Sequence, residues 1–183
     1  MIDLRKWALP NQISDGERWY EVDTSFRTWI EFERILREEN VLWPGIFKDG
    51  IPEGMGWYDG ALEFFESKNA TPNFRTNSRF RTIDFIKDGD YIVASFQSAY
   101  GIDLTVGDMH WHRFKALLIG LPDSAMLSKI IEYRAWTKSG KKYEDKMADL
   151  HRAWTLPEDG LDAAKEELLA MTEQSFPIRN HIY

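Results

Sequence analysis

The sequence predicts a mainly α fold: a compact bundle of about six or seven helices with an irregular N-terminal arm. Three observations predict it. Apolar residues recur at helical spacing in one segment after another. Glycine and proline punctuate those segments at their ends. Strand character is confined to one short stretch, Arg18–Val22. At 183 residues the chain is the size of one domain, or of one domain with a small appendage.

The arm covers residues 1–20 and is broken by Pro10, Asn11 and Gly16, with room for a short hairpin or extended strand. Asp23 is the expected N-cap of the first helix. Its apolar set, Val22, Phe26, Trp29, Ile30, Phe32, Ile35 and Leu36, covers more than half the circumference at about 100° per residue. Such a helix is central, touched on several sides. Asn40 and Pro44 end it, and residues 44–56 form a loop rich in glycine and proline. Trp57–Glu66 reads as the second helix, with Trp57, Ala61, Phe64 and Phe65 on one face. Gly56 and Gly60 weigh against it by up to about 1 kcal/mol each.

Residues 67–81 read as a polar connection. Asp88 then caps a helix carrying Ile92, Phe96, Ala99 and Tyr100, and Gly101 stands at its C′ position. Asp108 opens the next, with Trp111, Phe114, Leu117, Leu118 and Leu121 inward and Gly120 and Pro122 at its close. Another runs over 124–133 with Leu127, Ile130 and Ile131 inward. Residues 137–142 are a flexible basic linker. Tyr143, Met147, Leu150 and Trp154 follow at 4, 3, 4 spacing, a narrow seam of coiled-coil type. Pro157 breaks the chain before a last acidic helix over 162–173, with Leu161, Ala164, Leu168 and Met171 on one face. The expected division is an arm (1–20), a helical core (21–136) and a linker with a C-terminal helical extension (137–183).

Composition narrows the function. There are 23 basic and 30 acidic residues, a net charge of −7. Binding to nucleic acid, which relies on neutralising phosphates, is disfavoured. With no cysteine, disulfides, thiolate metal sites and cysteine nucleophiles are excluded. No apolar run approaches the roughly 20 residues that span a bilayer, and Met1–Trp7 has no leader-like apolar stretch. A chain without membrane contact is expected. Aromatic residues are 14% of the total, with 8 Trp. They belong to an aromatic core or, in part, to a surface that meets another protein.

Few residues invite chemistry. His110 and His112 lie two apart in a predicted helix, about 200° around it, so their rings should diverge and cannot share a metal. His110 is expected at the edge of the core and His112 exposed. Asp59, Glu63 and Glu66 follow one another along a helix face, and Glu31, Glu33, Glu38 and Glu39 along another; both read as solvated acidic faces. No nucleophile elbow, phosphate loop or dinucleotide fingerprint is present. Arg75, Arg79 and Arg81 alternate with Phe74 and Phe80, a polar loop or an arginine dock for an acidic partner. No catalytic, cofactor or metal residue is assigned.

Three stretches carry a resemblance. They are Tyr20–Glu33; Asp84-Phe85 with Asp88–Leu104; and Met109–Pro122 continued by Lys129–Arg134. In order, spacing and the core His110-Trp111-x-x-Phe114-x-x-Leu117-Leu118, the chain resembles the phage "gene product fifteen" family of siphophages and prophages. The likeness runs over about 18–155. Position 112 departs, with His where a second aromatic is expected after Trp111.

The resemblance implies a non-catalytic tail assembly chaperone, encoded ahead of the tape measure protein. It would bind the tape measure protein, work with an upstream tail assembly chaperone and help recruit the major tail tube protein. Self-association is compatible with such a role. The expected location is the bacterial host cytoplasm during assembly, with absence from the mature virion. The candidate contact residues are Trp136, Tyr143, Met147 and Trp154, with Arg75, Arg79 and Arg81 as a second patch. The alternatives are a minor structural tail or connector protein and, more remotely, a metal-dependent hydrolase using Asp59, Glu63 and His110.

Overall fold

The computed structural model of the chain describes residues 6, 8–38, 43–66, 81–138 and 145–156. Its elements run β1 (Gln12–Ser14), β2 (Trp19–Glu21), α1 (Phe26–Glu38), a 3-10 turn at Pro44–Ile46, α2 (Trp57–Glu66), α3 (Gly89–Tyr100), α4 (Trp111–Ile119), α5 (Met126–Ala135) and α6 (Asp145–Trp154). The fold is mainly α, with six helices and one small hairpin among the described residues. Two compact units emerge: one takes 85–125 and the chain before them up to Phe74, the other Arg75–Asp84 with 126 onward.

The first unit begins with the hairpin. β1 and β2 pair antiparallel, Ile13 opposite Tyr20. Asp15 builds the turn: its Oδ1 accepts from the amides of Glu17 and Arg18, and its Oδ2 from the Tyr20 hydroxyl at 2.6 Å. These bonds, the Tyr20 hydroxyl first, hold the Asp15 carboxyl down to about 2. Gly16 turns the chain at φ 99°, which glycine adopts without a Cβ penalty.

α1 is the central helix that its apolar pattern predicts. Phe26, Trp29, Phe32 and Ile35 are buried, and Ile30 and Leu36 half-buried. Its acidic face is laced with arginine: Arg34 bridges Glu31 and Glu38, and Arg37 bridges Glu33. The cap differs from expectation. Ser25, not Asp23, closes the first turn, its Oγ accepting from the Arg27 amide. Asp23 sits two residues back and accepts from the Ser25 amide and the Thr28 hydroxyl.

α4 likewise opens at His110 rather than Asp108. The His110 Nδ1 accepts from the His112 amide at 3.1 Å. Asp108 is drawn away to the Ser25 hydroxyl and Arg27. The two helix starts are joined backbone to backbone. The Phe26 amide donates to the Met109 carbonyl and the Trp111 amide to the Thr24 carbonyl. Each helix thus has its first orphan amide satisfied by the other's lead-in strand.

The core between these helices is a stack of rings. Phe114 of α4 lies flat between Phe26 of α1 and Phe96 of α3, with centroids 4.8 and 5.2 Å away. Trp29 stacks on Phe64 of α2, and Phe65 on Trp111. Offset-stacked rings contribute about 0.5–1.5 kcal/mol per pair beyond the area they bury. Most of the aromatic content of α1, α2 and α4 is therefore core. α2 occupies its predicted span, and Gly60 has a reason to be there: a Cβ at that position would strike the backbone carbonyl of Ser14 in β1. α3 ends at Gly101, φ 66°, whose amide returns to Gln97 as a left-handed C′ residue should.

In the second unit α5 packs against α6. Leu127, Ile130 and Leu156 are buried. Arg134 is buried with them and ties three segments together. Its Nε donates to the Trp154 carbonyl at 2.7 Å and its Nη1 to that of Thr82. Arg81 pairs with the buried carboxylate of Asp84 at 3.2 Å. The acidic helix expected over 162–173 and the residues 139–142 of the linker lie outside the described residues.

Candidate functional site

The histidine pair is the first constellation with chemical potential. His110 stands on extended backbone ahead of α4, so the rotation expected of two helical positions does not apply. The rings do not diverge; their centroids are 5.2 Å apart. Nor is His112 exposed. It is 4% accessible and packs on Phe64 at 4.4 Å, taking the place of the expected aromatic.

Carbonyl partners fix both tautomers, since a carbonyl only accepts. The His112 Nε2 donates to Phe64 O at 2.8 Å, leaving a bare Nδ1 that is buried without a hydrogen-bond partner. The His110 Nε2 donates to Pro10 O while its Nδ1 caps α4. Burial lowers the pKa of both, that of His112 to about 4.

Next to them, the Trp111 indole and the Lys115 ammonium both donate to Phe65 O, at 3.0 and 2.6 Å. The Lys115 Nζ also lies over the Phe65 and Trp111 rings, and burial lowers its pKa to about 8. The last carbonyls of a helix have no partner within it. Three side chains of α4 thus clamp the end of α2. With both nitrogens of His110 engaged, the pair is structural. Among the described residues no three His, Asp or Glu are grouped to hold a metal ion.

The second constellation is the α5–α6 pair. α6 has an apolar row, Met147, Leu150 and Trp154, and none of its side chains is fully buried. His151 ties the two helices, its Nδ1 meeting Tyr133 O at 2.9 Å. Trp136 is half-buried against the His151 ring, at 5.8 Å.

A family model described as Bacteriophage Gp15 protein matches residues 59–156, more than half of the chain. The chain belongs to that phage family. No curated protein and no solved structure matches it. The Gp15 match holds α2 from Asp59 onward, α3 to α6, and two of the three blocks read from the sequence; Tyr20–Glu33 precedes it.

Within the Gp15 span, Met147 and Trp154 lie on α6 and Trp136 just past the end of α5, all half-buried. Arg81 is turned to Asp84. Tyr143, Arg75 and Arg79 lie outside the described residues. Sequence reasoning passed over Arg134, Lys115 and His151. Their signal was a polar residue on the inward face of a helix, legible only once a carbonyl is known to wait there. No described helix is long and apolar enough to cross a membrane.

Proposed function

We propose that this Gp15 protein is a non-catalytic tail assembly chaperone that binds the tape measure protein through α5 and α6. It acts with the upstream chaperone and the tail tube protein in the host cytoplasm, and it leaves before the virion is complete. The observation that carries the reading is α6: an amphipathic helix whose apolar row is only half covered. Met147 and Trp154 suit such a surface, Met by its adaptability and Trp by its large amphipathic ring. A tape measure chain, long and helical with apolar stripes, would be held helix against helix.

The test is co-expression with the tape measure protein of the same phage, followed by pull-down. The expected result is a soluble complex that Met147→Ser with Trp154→Ser abolishes while the melting temperature holds. A tape measure protein left insoluble and unbound, with the upstream chaperone also supplied, removes the reading. Loss of folding in the double variant would instead assign the row to the interior of the unit.

A further inference from the structure

The apolar row of α6 has a complement within the same chain. Leu161, Ala164, Leu168 and Met171, on the acidic helix that the sequence predicts over 162–173, follow at 3, 4, 3 spacing. That is the spacing of a single narrow seam. A helix of this length is marginal alone in water, where about 12–15 residues are needed. It forms only by laying its seam on an apolar face.

α6 offers such a face at close range. Met147 and Leu150 are half-buried, and no side chain of α6 is fully buried. The helix closes at Thr155, whose amide and hydroxyl both donate to His151 O. Leu156, buried, fixes where the chain departs. From there to Gly160 is a short connection with Pro157 in it. Connections of about 2–8 residues join antiparallel helix neighbours.

The two seams also mesh. Read backward from Trp154, the row of α6 steps by four to Leu150 and by three to Met147. Read forward from Ala164, the second row steps by four to Leu168 and by three to Met171. One antiparallel register therefore sets Ala164 opposite Trp154, Leu168 opposite Leu150 and Met171 opposite Met147. The smallest residue meets the largest, as interdigitating layers require.

Charge has the matching sign. Residues 126–156 carry seven Lys or Arg against four Asp or Glu, whereas residues 157–183 carry two against six. Lys146, exposed, directly precedes Met147, and Glu167 directly precedes Leu168. In an antiparallel pair such residues flank the seam on the same side.

We propose that residues 161–173 fold back along α6 as an antiparallel helix and occupy its apolar row, Leu168 on Leu150 and Met171 on Met147. Exposed ion pairs add little each, so the seam supplies the affinity and the charges fix orientation. A tape measure chain that uses the same row must first displace this segment. That competition, unlike the docking, rests on the tape measure reading.

The experiment uses the full chain, which has no cysteine of its own. Lys146→Cys with Glu167→Cys is treated with a short bismaleimide whose spacer contains a disulfide, and linked monomer is followed by mass spectrometry. The control is Arg152→Cys with Glu167→Cys. Arg152 is exposed, on the side of α6 away from the row, yet nearer to Glu167 along the chain. A loose segment would link the control at least as fast. The first pair is expected to link at least about tenfold faster than the control. Adding Leu168→Asp should bring it down to the control rate. Melting curves check that each variant folds, and Met171→Asp serves if Leu168→Asp does not.

Equal rates for the two pairs, links between two chains instead of within one, or a rate unmoved by the aspartate in a folded chain would overturn the proposal. Pull-down then separates the two readings. The linked chain should lose the tape measure protein and regain it when reductant cuts the spacer. A linked chain that still binds would overturn the competition. An unlinked parent that never binds would remove the tape measure reading and leave the docking standing on its link rates.

Discussion

Acid should unfold this protein early, and His112 is the reason. In the folded chain its Nε2 is committed to Phe64 O and its Nδ1 is enclosed. A second proton would have to sit on that enclosed nitrogen, so burial holds the pKa at about 4 against 6.5 for the free side chain. The unfolded chain therefore binds a proton that the folded chain refuses. Stability from His112 is complete above pH 6.5 and falls as the pH drops toward 4. One pKa unit corresponds to about 1.4 kcal/mol, so the loss from this residue is about 2 kcal/mol by pH 5 and about 3 kcal/mol by pH 4. His110 adds to it with the same sign, because burial disfavours its charged form; a proton on its Nδ1 would also face the His112 amide and break the cap.

Urea unfolding at pH 7.5, 6.5, 5.8 and 5.0 would measure this, on the parent and on His112→Phe. Phenylalanine keeps the ring on Phe64 but cannot titrate. At pH 7.5 the variant should be weaker by about 1–2 kcal/mol for the lost bond to Phe64 O. Between pH 7.5 and 5.0 the parent should lose about 2 kcal/mol more than the variant. Parallel curves would show that His112 is not buried neutral, and the reasoning would fail.

Other substitutions have equally definite outcomes. Gly60→Ala should lower stability by about 1–2 kcal/mol in a denaturant melt, because the gain in helix propensity is smaller than the clash with Ser14 O. Alanine at a solvent-facing helix glycine would do the reverse. Arg134→Met should cost the second unit about 2–3 kcal/mol, since it leaves the Trp154 and Thr82 carbonyls without their donor. Faster amide exchange confined to α5 and α6 would report it. Ser25→Ala should cost about 1 kcal/mol in thermal unfolding through the lost cap on Arg27.

Helix existence was legible because apolar periodicity is strong and local. Trp57–Glu66 and Gly89–Tyr100 stand where the spacing puts them, and Gly101 announces its own turn. Helix starts were less legible. Asp23 and Asp108 are good N-cap residues by type, yet the caps are Ser25 and His110. A bridge between two distant segments decides both, and no local rule contains it. His112 was misread for the same reason: its burial depends on where α4 begins and on a carbonyl of α2. The apolar row of α6 could be read from spacing, whereas its half-covered state needed α5 beside it.

The reciprocal bonds between the starts of α1 and α4 also bear on how the chain comes into being. Phe26 leaves the ribosome well before its partner Met109, which follows more than eighty positions later. Until then α1 lacks both that acceptor and the Phe114 ring on which Phe26 stacks. A loop of such length closes slowly, because its entropy is lost before any contact repays it. α1 should therefore wait, partly formed and with apolar rings open to water, for α4 to be synthesised. Nascent chains stalled before residue 111 should be cut readily by protease within α1, and those stalled well past Ile119 should resist.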